Sequence, residues 1–112
     1  MLLKPNLSPS EAPRVTLLAA VSVVKTAGMV TGKKLGIKWP NDVVYKNRKL
    51  CGVLTEMSAE ADRVKFIVVG IGINVNAGAE ELPHGAVSLQ QISGTKVNRV
   101  DFARALLGQL DE

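Results

Sequence analysis

A single cysteine stands among the 112 residues. No disulfide framework and no cysteine-built zinc site fits within one such chain. Cys51 has Leu50 on one side and Gly52, Val53 and Leu54 on the other. Apolar burial raises a thiol pKa and keeps it inert, so Cys51 reads as a structural thiol and not a nucleophile. Histidine is as scarce. His84 lies in a Pro/Gly loop with no Cys, His or acidic cluster beside it, and it reads as a surface residue. One Trp, one Tyr and two Phe make no stacking platform for single-stranded nucleic acid. Long apolar runs are missing too. Pro5, Asn6, Pro9 and Glu11 interrupt the first residues, which argues against a signal peptide. The most apolar stretch, Val15–Val30, carries Lys25 and is expected to be too short and too polar to span a bilayer. A cytoplasmic protein without a membrane segment is the default.

What is present suits one folded domain. Apolar residues make up 46%, enough for a core, and the length fits one domain and not two. Charged residues at 21%, with no Ser/Gln/Pro tracts, argue against disorder. The net charge of +4 suits an anionic ligand or an acidic protein partner. It falls short of the dense basic face of a nucleic-acid binder.

The periodicities order the elements. Met1–Lys4 reads as a strand end entering a Pro/Ser loop from Pro5 to Ala12. Pro13 opens a helix to Val30, because a first-turn residue needs no N–H donor. Leu17, Ala20, Val21, Val24 and Ala27 recur at the spacing of one buried helix face. Gly32 is placed for a left-handed cap, and Lys33 and Lys34 follow at the negative end of the dipole. Leu35–Trp39 reads as a strand, Pro40-Asn41-Asp42 as a turn, and Val43–Tyr45 as a second extended segment. Lys46-Asn47-Arg48 makes a hairpin turn before a return strand, Lys49–Met57. Ser58–Arg63 is polar and turn-like. Val64–Val75 is β-branched and apolar on both faces, as a central strand is. Gly70 and Gly72 inside it imply close approach of a ligand or another backbone. Asn76–Gly85 reads as loop and Ser88–Ile92 is ambiguous. Asp101 is the expected cap of a last helix from Phe102 to Leu110, with Phe102, Leu106 and Leu110 along one side.

Three strings carry the chemistry. They are Lys38-Trp39-Pro40-Asn41-Asp42, then Lys49-Leu50-Cys51-Gly52-Val53-Leu54 with Glu56, then Gly70-Ile71-Gly72-Ile73-Asn74-Val75-Asn76. In this order and at these separations they resemble the catalytic domain of biotin–protein ligases, over nearly the whole chain. The fold implied is α/β (α+β): a mixed, mainly antiparallel sheet with flanking helices, class II synthetase-like, with the Pro13–Val30 helix on one face and the Phe102 helix outside it. The activity implied is ATP-dependent attachment of biotin, through biotinyl-AMP, to a lysine of an acceptor protein. Biotin, ATP and magnesium are the implied ligands. The biotin carboxyl carrier domain of a carboxylase is the implied partner.

Residue types and resemblance agree on roles. Joining a carboxylate to a phosphate brings two anions together, so catalysis is mostly positioning and charge neutralisation. Lys38, a compact cation on a flexible stem, suits both the biotin carboxylate and the α-phosphate, and the matching family lysine does this. Trp39 is assigned to the core. Pro40 fixes the turn, and Asn41 and Asp42 hold it by side-chain-to-backbone hydrogen bonds. Asp42 is also the candidate magnesium ligand. Gly52 lets backbone approach a flat ligand, or marks a β-bulge. The similar family segment walls the biotin pocket. Val53 and Leu54 supply apolar surface to that pocket or to the core. Gly70-x-Gly72 is no dinucleotide fingerprint, since a third glycine and a following helix are absent. In the family this strand leads to the segment closing over the adenylate, so Gly72 and Asn74 are candidate binding residues. Asn74 offers a paired donor and acceptor to the nucleotide.

The family's Gly/Arg-rich loop of type G-R-G-R-x-G-R has no counterpart. Arg14, Arg48, Arg63, Arg99 and Arg104 are scattered. The expectation is therefore a partial catalytic domain over residues 1–112, truncated at both ends. No DNA-binding helix-turn-helix and no C-terminal β-barrel domain is expected, and turnover by the chain alone is expected to be very weak. An unpaired sheet edge invites homodimerisation or aggregation. Two other readings stay open: a non-catalytic module that folds or dimerises without turnover, and a lipoate–protein ligase-like enzyme, which shares the fold and a similar lysine motif.

Overall fold

The structure is a computed structural model that describes residues 2–3, 8–60 and 62–111. Its named elements are β1 (Leu2–Leu3), α1 (Ala12–Thr31), β2 (Gly36–Lys38), β3 (Asp42–Tyr45), β4 (Arg48–Glu60), β5 (Arg63–Ile73), α2 (Leu89–Ser93) and α3 (Arg99–Leu110), with short 3-10 turns at Pro9–Glu11 and Ala79–Glu81. The sheet has five strands in the order β1-β5-β4-β3-β2. Every pair of neighbours is antiparallel. The parallel component is one isolated bridge, Lys49 to Ala86. This is the expected α/β fold with its mainly antiparallel sheet. The loop expected over Pro5–Ala12 falls partly outside the described residues. Its described end is the 3-10 turn, and Ala12 already belongs to α1.

α1 lies across one face of the sheet and α3 packs on α1. The helix ends at Gly32, whose φ of 71° is left-handed, as the glycine-cap signal indicates. The buried face differs from the expected one. Ala12, Ala19, Ala20, Val23, Thr26 and Ala27 are buried, while Leu17 is exposed and Val21 and Val24 are only half-buried. The small residues turn inward because they let the helix axis approach the sheet closely. By length and composition Pro9–Thr31, at 23 residues, matches a membrane span, so the expectation that this stretch is too short is corrected. What ties it to the domain is the contact of Ala20, Val23 and Ala27, none with any exposed surface, with the core.

Core residues from the sheet are Val43, Leu50, Cys51, Val53, Val64, Ile67 and Val69, joined by Leu89 and Ile92 of α2 and Phe102 and Leu106 of α3. Each large side chain so buried contributes roughly 1.5–3 kcal/mol. Thr16 and Thr55 hydroxyls meet at 2.7 Å and pin α1 to β4.

Lys46 and Asn47 join β3 to β4 with φ of 49° and 63°. Positive φ at both positions is the two-residue hairpin turn whose twist matches the strands. Arg48, expected in that turn, opens β4 instead. β4 runs through Ser58 to Glu60, so the polar turn expected over Ser58–Arg63 is mostly ladder, irregular between Ser58 and Ala59. Polar residues there reflect a strand end with two wet faces. β5 is interior, as expected, yet only one face is covered: Val68, Gly70 and Gly72 are exposed. Ser88 resolves the ambiguous segment. Its hydroxyl accepts from the Gln91 N–H while its own N–H donates to Gln91 Oε1, a capping box that starts α2. Asp101 is not the cap of α3. Asn98 is, accepting at Oδ1 from the Asp101 N–H.

Candidate functional site

The sheet has a covered face and an open one. Lys38 pairs with Asp42, Asp42 with Gly52, and Gly52 with Gly72. Residues directly opposite one another in an antiparallel ladder project to the same side. Lys38, Asp42, Gly52 and Gly72 therefore form one transverse row across four strands, on the face away from α1. With strands about 4.8 Å apart, the row is about 14 Å long and Lys38 starts about 10 Å from Gly52. Within the row the two glycines put backbone on the floor, bare at Gly72 and crossed at Gly52 by the Lys49 stem, whose Nζ and Cε lie 3.2 and 3.3 Å from where a Cβ would stand. A Cβ on Gly72 would meet nothing nearer than the Gly52 carbonyl oxygen at 4.0 Å. Leu54, two residues along from Gly52, is 63% exposed and gives this face an apolar surface.

Lys38 is exposed at the end of β2, and no described residue pairs with it. The turn after it is held by Asn41. The Asn41 amide donates to the Val53 carbonyl at 2.9 Å, and the Val53 N–H donates to the Asn41 carbonyl at 2.9 Å. The peptide bond Trp39-Pro40 within this turn is cis. Asn41 is thus a clasp that sets where Lys38 emerges. Trp39 is 72% exposed and not in the core, because the turn throws it outward. It lines a cleft of about 400 Å³ with Pro9, Ala12, Pro13 and Met57.

Val53 separates from the row. Its side chain is buried with the core, so what it offers the turn is backbone, and the exposed apolar neighbour is Leu54. Asn74 sits at the end of β5, with its amide nitrogen 3.2 Å from the Val87 carbonyl and 3.5 Å from that of Lys49. Its N–H donates to the Leu50 carbonyl at 3.0 Å. In this arrangement Asn74 ties the loop after β5 to β4, and no described residue donates to its Oδ1. Gly70 is exposed on the same face as Gly72.

Asp42 pairs with Lys49 at 3.5 Å, Nζ to Oδ1. No group of three His, Cys, Asp or Glu side chains converges among the described residues. Asp42 is the one carboxylate in the row and is already engaged by a cation, so these residues do not make a magnesium site of their own. Cys51 is 1% exposed. Burial pushes its thiol up to about 12, the Lys49 cation pulling back and Asp42 adding to the rise, so it is no nucleophile at neutral pH. His84 is exposed, as expected. The sequence reading missed Lys49 and left Leu54 undecided. The available signal was the adjacent pair Leu50-Cys51, both buried, where a regular strand alternates.

Residues 1–74 match the model of the Biotin/lipoate A/B protein ligase family. Over 111 residues the chain is 41% identical to the Bifunctional ligase/repressor BirA of Bacillus spizizenii, covering 96% of this chain and 34% of that protein. It is 34% identical to the Biotin–[acetyl-CoA-carboxylase] ligase of Paracoccus denitrificans, covering 91% of this chain and 45% of that one. Among solved structures, the biotin protein ligase of Aquifex aeolicus in complex with biotin and ATP superposes with a TM-score of 0.77 at 31% identity, over 95% of this chain and 46% of that one. The chain thus spans about a third of the length of the first of these relatives.

Proposed function

The chain belongs to the biotin/lipoate A/B protein ligase family, and from that premise we propose that it supplies part of the site of an enzyme that activates biotin with ATP and passes it to a protein lysine. The observation that carries this reading is the row Lys38–Asp42–Gly52–Gly72. A flat ring system rests on the glycine floor and against Leu54, and its carboxylate points along the row toward Lys38. In the first step a carboxylate oxygen attacks the α-phosphorus of ATP. The bond to the β-phosphate oxygen breaks, and pyrophosphate leaves with the electron pair. In the second step an acceptor lysine amine attacks the acyl carbon. AMP departs with the C–O electron pair, and the amine proton goes to solvent. Lys38 neutralises charge where the two anions meet, which lowers the barrier by holding the reactants together. Val53 acts through its backbone pairing with Asn41, which aims the lysine. Gly72 and Asn74 border the nucleotide, Asn74 through its Oδ1.

Magnesium enters this proposal only as the companion of the ATP phosphates. Asp42 is the one candidate ligand, its pairing with Lys49 speaks against it, and no step is routed through the ion. A loop rich in Gly and Arg is absent from these 112 residues. Losing even one preorganised donor to a developing oxyanion costs about 100-fold or more in rate. We therefore infer ligand binding with little turnover by these residues alone. The acceptor is taken to be a biotin carboxyl carrier domain, the location cytoplasmic, and self-association of two copies to run through an outer strand.

Titration calorimetry with biotin and ATP tests the proposal. Binding that Lys38→Ala abolishes is the expected result, and no heat at millimolar biotin would overturn it. The family description names lipoate beside biotin, which keeps a lipoate ligand as the second reading. Competition between the two acids decides between them.

A further inference from the structure

We propose that Asn76 is a positioning residue of this site: its side chain fixes the chain after β5 so that Asn74, two residues earlier, presents its Oδ1 to the nucleotide. This rests on the reading of Asn74 as a group that borders the nucleotide. Asn76 ends the string Gly70–Asn76, and its amide spends both ends on one residue 21 positions along. Asn76 Nδ2 donates to the Val97 carbonyl at 2.8 Å, and Asn76 Oδ1 accepts from the Val97 N–H at 2.9 Å. A donor and an acceptor used together on one residue's backbone set direction as well as distance. Val97 is a firm anchor. It is 8% exposed, belongs to the core, and directly precedes Asn98, the cap of α3.

The segment held in this way is the stem of a loop. The Asn74 carbonyl accepts from the Leu89 N–H and the Val75 carbonyl from the Gln90 N–H, both at 2.9 Å. The Ser88 hydroxyl, completely buried, donates to the Ala77 carbonyl at 2.8 Å. Residues 74–77 therefore run beside 87–90, and Gly78–Gly85 hang from that stem as a surface loop whose two ends meet. Those bonds tie the stem to itself. The Asn76 pair adds a tie in a different direction, from the stem to the start of α3. Asn74 depends on that stem, since its Nδ2 is engaged by the Val87 carbonyl at 3.2 Å and its Oδ1 is the end left for a ligand. A stem free to pivot would carry Asn74 Oδ1 with it, whereas Lys38 and Gly52, on β2 and β4, would stay in place. Nucleotide and biotin should then respond differently to the loss of Asn76.

The test is titration of the chain with magnesium ATP and, separately, with biotin. Wild type is expected to bind both. Asn76→Ala should weaken ATP binding roughly three- to tenfold, the loss of one neutral hydrogen bond. Biotin affinity should stay within about twofold of wild type. The effect should vanish in an Asn74→Ala background, the double variant binding ATP within about twofold of Asn74→Ala alone. Losses that multiply instead, or an equal loss for biotin, would mean that Asn76 only supports the fold and would overturn the inference. Asn98→Ala removes the neighbouring cap of α3. It should lower the melting temperature and keep wild-type ATP affinity; an ATP defect there as large as that of Asn76→Ala also overturns the inference. Wild-type ATP affinity in Asn74→Ala does the same, since nothing is left for Asn76 to position. Unchanged ATP affinity in Asn76→Ala, with Asn74→Ala defective, overturns it and leaves the proposed function standing. No ATP binding by wild type overturns both. If Asn76→Ala does not fold, Asn76→Asp decides. It keeps an acceptor for the Val97 N–H and loses the donor to the Val97 carbonyl, so ATP binding should weaken about threefold, and wild-type affinity refutes the role given to Asn76.

Discussion

Replacing Gly52 with alanine puts a methyl group on the open face at the point where Lys49 crosses it. The new Cβ would lie 3.2 Å from Lys49 Nζ, 3.3 Å from its Cε and 3.9 Å from Asp42 Oδ1. All three atoms are the ends of side chains, so a flexible stem gives way and the backbone does not. The Lys49–Asp42 pair disturbed in the process is partly exposed, and such pairs contribute roughly 0–1 kcal/mol. Alanine in a strand interior gains roughly 0.5–1 kcal/mol over glycine. The two effects nearly cancel. The expected change in unfolding free energy is within about 1 kcal/mol, or less than roughly 8 °C in melting temperature for a domain of this size. Biotin affinity behaves differently. A methyl group lifts a flat ligand off the floor and should weaken binding about tenfold or more, a loss of about 1.4 kcal/mol or more. Urea denaturation followed by circular dichroism measures the first quantity and calorimetry the second. A destabilisation above about 3 kcal/mol would refute the reasoning, since it would mean the backbone at Gly52 cannot carry a side chain. Unchanged biotin affinity would refute it from the other side.

Leu50→Ala should cost about 2–5 kcal/mol in urea unfolding, because Leu50 is completely buried in the core and truncation leaves a cavity. Cys51 makes stability fall at high pH. Its folded thiol titrates near 12 against an ordinary 9.0, so the unfolded chain sheds that proton first. The stabilisation is intact below about pH 9 and should decline by up to about 1.4 kcal/mol per pH unit from there to about 12, seen as a denaturation midpoint falling over that range and not in Cys51→Ala. Trp39→Ala should change stability by less than about 0.5 kcal/mol, as expected of an exposed residue. The single Trp of wild type should fluoresce as a solvent-exposed indole, and biotin should perturb it.

Local signals carried most of the fold. Gly32 could be read as a cap because glycine alone takes its left-handed φ without strain. Lys46-Asn47 could be read as a turn between two β-branched segments. The inward face of α1 was misjudged because hydrophobicity favours Leu17 and Val24, whereas close packing on a sheet favours Ala19, Ala20 and Ala27. Size decided, and apolar periodicity does not measure size. Asp101 and Asn98 both cap well, and three residues of sequence do not say which turn comes first. Of the candidate site, Lys38, Gly52 and Gly72 were legible from their motifs. Their alignment in one row was not, since register is a property of pairs of strands. Lys49 was hidden for the same reason, and Trp39 because an apolar ring in a turn has no helix or strand to point it inward.

Val43 pairs with Cys51 but Val44 with Lys49, so β4 carries an extra residue, which acts as a change of parity. On one side of Leu50 odd positions look outward, and on the other even positions do. Lys49 and Gly52, an odd and an even number, share a surface only because of that shift. At the present chain length their shared surface depends on the bulge that holds both Leu50 and Cys51 inward. Exchanging Leu50 for another large aliphatic residue keeps the bulge, whereas deleting it leaves a uniform zigzag in which Lys49 still faces outward but the core loses a completely buried side chain. Natural variation in this segment should run to substitutions and avoid changes of length.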